Sequence, residues 1–243
     1  TAGARYDYHP LVGGNTSPRA AVVYTPKEGH TVRLSYTTAY SLPTFVESYL
    51  SRDISIIQFR GNKDVKPEII RSWELGYSGA LHERVKTTVE LFYNELEEFI
   101  TFLPTPDAVF LGGSTYNKYS YYNRGKYKAS GGEAGLDFYL ADNFVARGNY
   151  SYQFIWNDEA GTRVSYSPLS KANAELRYDP KRGINAAAWL NYVGETNWTS
   201  SASSEDWLPP YTQTTRAGTD PKSAAYILLN VKTGYRFTED TEI

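Results

Sequence analysis

Apolar and polar residues alternate along most of this chain. In the clearest stretch Ile227, Leu229, Val231, Thr233, Tyr235 and Phe237 share one face, and Asn230, Lys232, Gly234 and Arg236 share the other. A period of two is the mark of a β-strand, in which successive side chains point to opposite sides. The stretch 144–156 repeats it: Ala146, Gly148, Tyr150, Tyr152, Phe154 and Trp156 oppose Arg147, Asn149, Ser151 and Gln153. So does 171–178, where Ala172, Ala174, Leu176 and Tyr178 oppose Lys171, Asn173, Glu175 and Arg177. About ten such segments can be marked, and no amphipathic helix of useful length stands among them.

The segments run to about 9–15 residues, longer than the 5–6 usual in globular proteins. Their apolar faces often end in Tyr, Trp or Phe, as the aromatic girdles of a membrane barrel would require. The connections alternate in length. Short ones fall near 26–30, 80–85, 140–143 and 179–183; a medium one lies at 9–18, and longer ones at 41–66, 103–124, 157–167 and 198–223. In an up-and-down meander, successive connections lie at opposite ends. Short turns therefore gather at one end and long loops at the other, which is the outer-membrane arrangement. The expected fold is all-β: an antiparallel, up-and-down transmembrane β-barrel. A soluble β-domain with the same alternation remains the rival.

Composition sharpens this picture. The chain has 243 residues with 22 Tyr, 10 Phe and 5 Trp, and a net charge of −2, which gives no basic surface for nucleic acid. No apolar run of about 18 residues is long enough for a transmembrane helix, a test to which β-strands are invisible. Cysteine is absent, so there are no disulfides, thiolate metal sites or cysteine nucleophiles. His9, His30 and His82 are expected in three different connections, without ligand spacing. No G-x-S-x-G elbow appears. No cofactor, metal or catalytic residue is expected.

Several motifs carry a family resemblance. The stretch 61–77 reads GNKDVKPEIIRSWELGY, and SLPTFVE precedes it at 41–47. NRGKYKASGGEAGL follows at 123–136 and SPLSKANAEL at 167–176. In order and spacing these resemble motifs in the barrels of TonB-dependent transporters, with Val65 in place of the usual Leu. The resemblance implies a barrel of about 22 strands. It places this chain, over 1–243, as a partial barrel domain from the second half, with plug domain and final strands absent. It also implies energised uptake of a scarce solute, such as an iron-siderophore, cobalamin or a glycan. The implied partners are outer-membrane lipid, the small-molecule solute and the TonB-ExbB-ExbD complex, reached through a region preceding the chain; no enzyme activity is implied. A passive porin-like or small outer-membrane barrel is the other membrane reading.

The polar face is charge-rich: Arg33, Glu74, Lys86, Glu90, Glu133, Asp137, Arg147, Lys171, Glu175, Arg177, Lys232 and Arg236. It is expected to line a wet lumen, its charges pairing between neighbouring strands. The ligand-binding candidates lie in the long loops, where Tyr116, Tyr119, Tyr121 and Tyr122 crowd one loop and Trp198, Trp207 and Tyr211 another. Aromatics at a loop mouth stack on a ligand with little loss of entropy, although they also pack loops internally.

Overall fold

The computed structural model describes residues 1–10, 12–112, 115–197, 222–238 and 241–242. In chain order the elements begin with β1 (Ala2–His9), β2 (Gly13–Lys27) and β3 (His30–Ser41). A long connection then holds α1 (Phe45–Tyr49), β4 (Ser51–Ile54) and β5 (Ile57–Arg60) before β6 (Glu68–His82) and β7 (Val85–Glu97). A second holds β8 (Ile100–Pro104), β9 (Phe110–Gly112), β10 (Thr115–Tyr116) and β11 (Lys118–Asn123) before β12 (Tyr127–Ala141) and β13 (Phe144–Asn157). The remainder is β14 (Thr162–Arg163), β15 (Ser170–Tyr178), β16 (Gly183–Val193), β17 (Thr196–Asn197), β18 (Lys222–Ser223), β19 (Tyr226–Thr238) and β20 (Thr241–Glu242).

Ten of these strands form the expected meander, paired antiparallel in the order β1-β2-β3-β6-β7-β12-β13-β15-β16-β19, with short β14 and β20 attached. Among the described residues the sheet is an open path, with β1 at one edge. The short turns fall where the pattern put them, at 28–29, 83–84, 142–143 and 179–182. The long connections lie at the opposite end. One expectation fails: 9–18 is not a loop, because β2 already begins at Gly13. The turn-prone residues there are held in register by β1, from His9↔Gly13 to Ala2↔Ala20. Pro18 is tolerated because pairing with β3 starts only at Arg19, so β2 has one partner at that point. The histidines also depart from expectation, since His9, His30 and His82 sit at strand ends rather than in connections.

Packing separates the membrane barrel from a soluble sandwich. A sandwich would bury its apolar face against a second sheet. Here Val22, Leu34, Leu91, Leu176, Leu190, Leu229 and Val231 are all exposed, and no large side chain among the described residues is fully buried. Cross-strand register aligns these apolar residues in continuous rows, as in Leu34↔Leu75↔Leu91. Two residues further along β3, the rings of Tyr36, Trp73 and Tyr93 pack in a tilted row with centroids 5.1 and 5.7 Å apart. Toward the short-turn end, Phe144 packs on Tyr178 and Tyr235 on Phe237. An apolar band between two aromatic rows is the surface that lipid covers.

The opposite face is the charged ladder. Arg33 reaches Glu74 at 3.1 Å and Glu90 at 3.8 Å. Arg147 reaches Glu175 at 3.3 Å and Asp137 at 3.6 Å, and Arg177 also approaches Glu175 at 3.8 Å. Gly131 explains how a large side chain fits on this face: a Cβ there would lie 2.2 Å from the Tyr152 carbonyl oxygen and 2.6 Å from the Phe92 ring.

Candidate ligand-binding site

The long connections that follow β3 and β7 are not independent loops. Strands β4, β5, β11 and β8 pair as one sheet, in which β5 and β11 run parallel and so join residues from both connections. The family-like motifs fasten this assembly. Thr44 caps α1: its hydroxyl accepts from the Glu47 N–H at 3.2 Å, and the Thr44 N–H donates to Glu47 Oε2 at 2.6 Å. This capping box satisfies two donors that the helix start would otherwise leave open. Gly61 then packs against the helix end, where a Cβ would lie 2.5 Å from the Tyr49 backbone nitrogen. The Gly61 N–H donates to the Leu50 carbonyl at 2.6 Å, and the Asn62 N–H to that of Glu47 at 2.8 Å.

Two asparagines tie the connections together. Asn62 Nδ2 donates to the Tyr121 carbonyl at 2.9 Å. Asn123 Oδ1 accepts from the Lys66 N–H at 2.6 Å, while its Nδ2 donates to the Lys66 and Glu98 carbonyls. Glu68 accepts the Ile100 N–H at 2.9 Å. Val65, beside Lys66 in sequence and standing in the usual Leu position, is only 4% exposed. These motif residues are therefore fasteners of the loop sheet.

Aromatic rings fill one face of that sheet. Phe102 stands 4.8 Å from Tyr121, 5.4 Å from Tyr119 and 5.8 Å from Phe59, measured between ring centroids. Tyr119 is buried at 8% exposure, and its hydroxyl accepts the Tyr116 N–H at 3.0 Å. Tyr116 packs on Phe110 at 5.2 Å. Tyr122 occupies the other face of β11, opposite Thr101, and like Tyr116 and Tyr121 is half-buried. The structure thus brings the four candidate tyrosines into one assembly, with Tyr119 in its interior. Trp198, Trp207 and Tyr211 lie outside the described residues.

Sequence reasoning missed Phe59 and Phe102, whose importance depends on the parallel β5–β11 pairing. It also missed two ion pairs. Arg60 Nη1 meets Asp53 at 2.5 Å, and this hydrogen bond holds the Asp53 carboxyl below its ordinary range. Lys118 Nζ meets Asp107 at 2.6 Å, and this hydrogen bond is the main cause that lowers the Asp107 pKa to about 2. Ile54, Ile56, Val109 and Phe110 project from the loop tips as exposed apolar side chains. Among the described residues no cluster of three or more His, Asp or Glu could hold a metal ion. The arrangement can offer a partly aromatic platform at one end of the barrel.

Comparison with known proteins agrees. The family model described as TonB dependent receptor-like, beta-barrel, matches residues 1–242. The ferric enterobactin receptor of Pseudomonas aeruginosa is 26% identical over 211 residues, covering 80% of this chain and 28% of its own length. A solved structure of a variant of the Pseudomonas aeruginosa ferric enterobactin receptor superposes with a TM-score of 0.77 at 21% identity, covering 99% of this chain and 35% of the receptor. The siderophore receptor PirA from Acinetobacter baumannii gives 0.74 at 17% identity, covering 98% and 37%. This chain thus spans well under half of these relatives. Such receptors are outer-membrane β-barrels of Gram-negative bacteria. With its open meander of ten long strands, its lipid-facing band and its fastened loop sheet, the chain belongs to the TonB-dependent receptor family as part of the β-barrel.

Proposed function

We propose that this chain forms part of the barrel of a receptor that takes up an iron–siderophore complex across the outer membrane, with energy delivered through TonB, ExbB and ExbD. The family match and the relatives named for ferric enterobactin and siderophores support this cargo over cobalamin or a glycan. The single observation that carries the reading is the fusion of two long connections into one aromatic sheet at the long-loop end. On that reading the long-loop end is extracellular. Tyr116, Tyr121 and Tyr122 contact the cargo there, and buried Tyr119 supports them.

The test is uptake by the full-length receptor in a receptor-deficient Gram-negative strain. Radiolabelled iron should enter with one ferric siderophore, and entry should stop when TonB is deleted or the proton gradient is collapsed. Tyr122→Ala should raise the half-saturating concentration more than it lowers the maximal rate. Uptake that persists without TonB, or none with any ferric siderophore, would refute the reading.

A further inference from the structure

Five apolar side chains stand exposed at the tips of the loop sheet: Ile54, Ile56, Val109, Phe110 and Leu111. They come from two connections, yet one residue joins them. The Gln58 N–H donates to the Asn117 carbonyl at 2.8 Å, and on the other side the Asn117 N–H donates to the Val109 carbonyl at 3.0 Å. Asn117 Oδ1 accepts in turn from the Val109 N–H at 2.6 Å. The β4–β5 tip and the segment 109–111 are therefore held side by side as one patch.

Folding does not call for these side chains. Ile54 pairs with Ile57 across a tip made of Ser55 and Ile56. Ser55 has a φ of 55°, and turn chemistry favours Gly, Asn, Asp or Ser at such tips; Ile56 is instead apolar and 67% exposed. A break of the local rule without a packing gain points to function. Lipid does not explain it. On the outer face, the row beyond the Tyr36, Trp73 and Tyr93 rings is Arg71, Glu95 and Lys128, aligned by register. The hydrocarbon band ends at such a row of charge, and the loop tips lie beyond it. A protein partner fits poorly as well. The patch exposes on the order of 500 Å² of apolar surface, whereas a stable protein interface takes about 800 Å² from each side. At roughly 30 Å² per methylene, an alkyl chain of about twelve carbons is the better match.

We propose that this patch binds the alkyl tail of an amphiphilic iron complex. The proposal rests on the uptake reading above and narrows its cargo class. Continuity with the tyrosines carries it. Phe110 packs on Tyr116 at 5.2 Å, and the Tyr116 N–H donates to the Tyr119 hydroxyl within the ring stack. An iron-chelating head on the tyrosines thus lays a tail across the tips. The acidic residues flanking the patch, Asp53 and Asp107, are neutralised by Arg60 and Lys118, so they do not repel an apolar chain.

The full-length receptor in lipid nanodiscs is exposed to two ferric chelates, a hydroxamate and a catecholate, each carrying a dodecyl chain that ends in a diazirine. Light fixes the chain to whatever it touches, and mass spectrometry maps the adducts. At least one chelate should mark residues 54–57 or 109–111 several-fold more strongly than a dodecyl fatty acid bearing the same diazirine. The chelate without a chain should need a several-fold higher concentration than the acylated one to suppress that label. With Ile56→Gln and Val109→Gln together, the tip adducts should vanish while adducts on the lipid-facing strands persist, which shows that the barrel is intact. Adducts confined to the lipid-facing strands would overturn the proposal. So would tip labelling by the fatty acid as strong as by either chelate, which would assign the patch to lipid chains. Self-association of the receptor that the double variant abolishes would assign it to a second copy instead. Tip adducts in a receptor that takes up no ferric complex would sink the uptake reading alone, and uptake without tip adducts would sink the tail site alone.

Discussion

Asn123 and Lys66, 57 positions apart, close a two-way hydrogen-bonded ring: the Lys66 N–H donates to Asn123 Oδ1 at 2.6 Å, and Asn123 Nδ2 returns a bond to the Lys66 carbonyl at 2.8 Å. The same Nδ2 also donates to the Glu98 carbonyl at 2.7 Å. One side chain thus stitches the start of β6 to both ends of the next long connection. Asn123→Ala should cost about 1–3 kcal/mol locally, because three backbone groups lose a partner while water can still reach some of them. Limited proteolysis of the full-length receptor should then cut between residues 101 and 122 several-fold faster, while the barrel keeps its heat-modifiable migration. An unchanged cutting rate would show that the ring does not hold the loops.

Gly61 offers a second probe of the same junction. A Cβ would sit 2.5–2.6 Å from the backbone of Ser48, Tyr49 and Leu50, and backbone cannot rotate aside as a flexible side chain can. Gly61→Ala should therefore loosen the loop sheet and weaken cargo binding. Gly148→Ala, whose nearest obstacle is the Asn173 carbonyl oxygen at 3.8 Å, should be silent. Equal binding by both variants would remove the steric requirement at Gly61.

Acid should act on the loop sheet through Asp107. Its folded pKa, near 2, lies below the ordinary value of 3.8 chiefly because the Lys118 ammonium hydrogen-bonds the carboxylate. A depressed carboxyl contributes stability that is fully present above its unfolded pKa and is lost as pH falls through the folded one. The Asp107–Lys118 contact should thus persist at pH 5 and fade between about pH 4 and pH 2. Tyrosine fluorescence of the loop sheet across that window should show a transition in the native receptor that Asp107→Asn lacks. Identical acid profiles for the two proteins would assign the transition elsewhere.

The two faces of the meander should respond differently to charge. Leu176→Arg and Leu229→Arg place a cation on the lipid side, which costs about 2–4 kcal/mol near the bilayer midplane. Asn173→Arg and Asn230→Arg place it on the wet side; the first sacrifices only a 2.7 Å bond to Asn149. Yield of folded receptor in the outer membrane should fall for the leucine changes and hold for the asparagine changes. Similar losses on both sides would mean that the lipid face has been misassigned.

The barrel strands were legible because their periodicity is local: every second residue reports the same face, and ten long strands follow from it. The short turns were legible for the same reason. The loop sheet was not, because nothing near Gln58 or Phe59 announces a parallel partner at Lys118 and Tyr119 about sixty positions away. Nor could sequence distinguish Tyr119 from Tyr122. Both sit on one strand, and only the cross-loop stack decides that Tyr119 is interior. At 13–18, Gly, Asn, Ser and Pro suggested a turn, yet pairing with β1 overrode their local preference.

Topology gives the most decisive prediction. Each membrane crossing carries the chain to the other side, so alternate connections must share a side. The turns 28–29, 83–84, 142–143 and 179–182 form one set; the connections holding α1–β5, β8–β11, β14 and β17–β18 form the other. On the proposed uptake function the second set is extracellular, with the short turns in the periplasm. Single cysteines in an otherwise cysteine-free full-length receptor test this in intact cells with a membrane-impermeant thiol reagent. Ser55→Cys and Val109→Cys should label; Val109 is 59% exposed at a loop tip. Glu83→Cys and Lys181→Cys should label only after the outer membrane is permeabilised. Labelling of Lys181→Cys in intact cells with Val109→Cys protected would invert the orientation. Labelling of Glu83→Cys together with Val109→Cys would place both ends of β7 on one side, so that β7 could not cross the membrane.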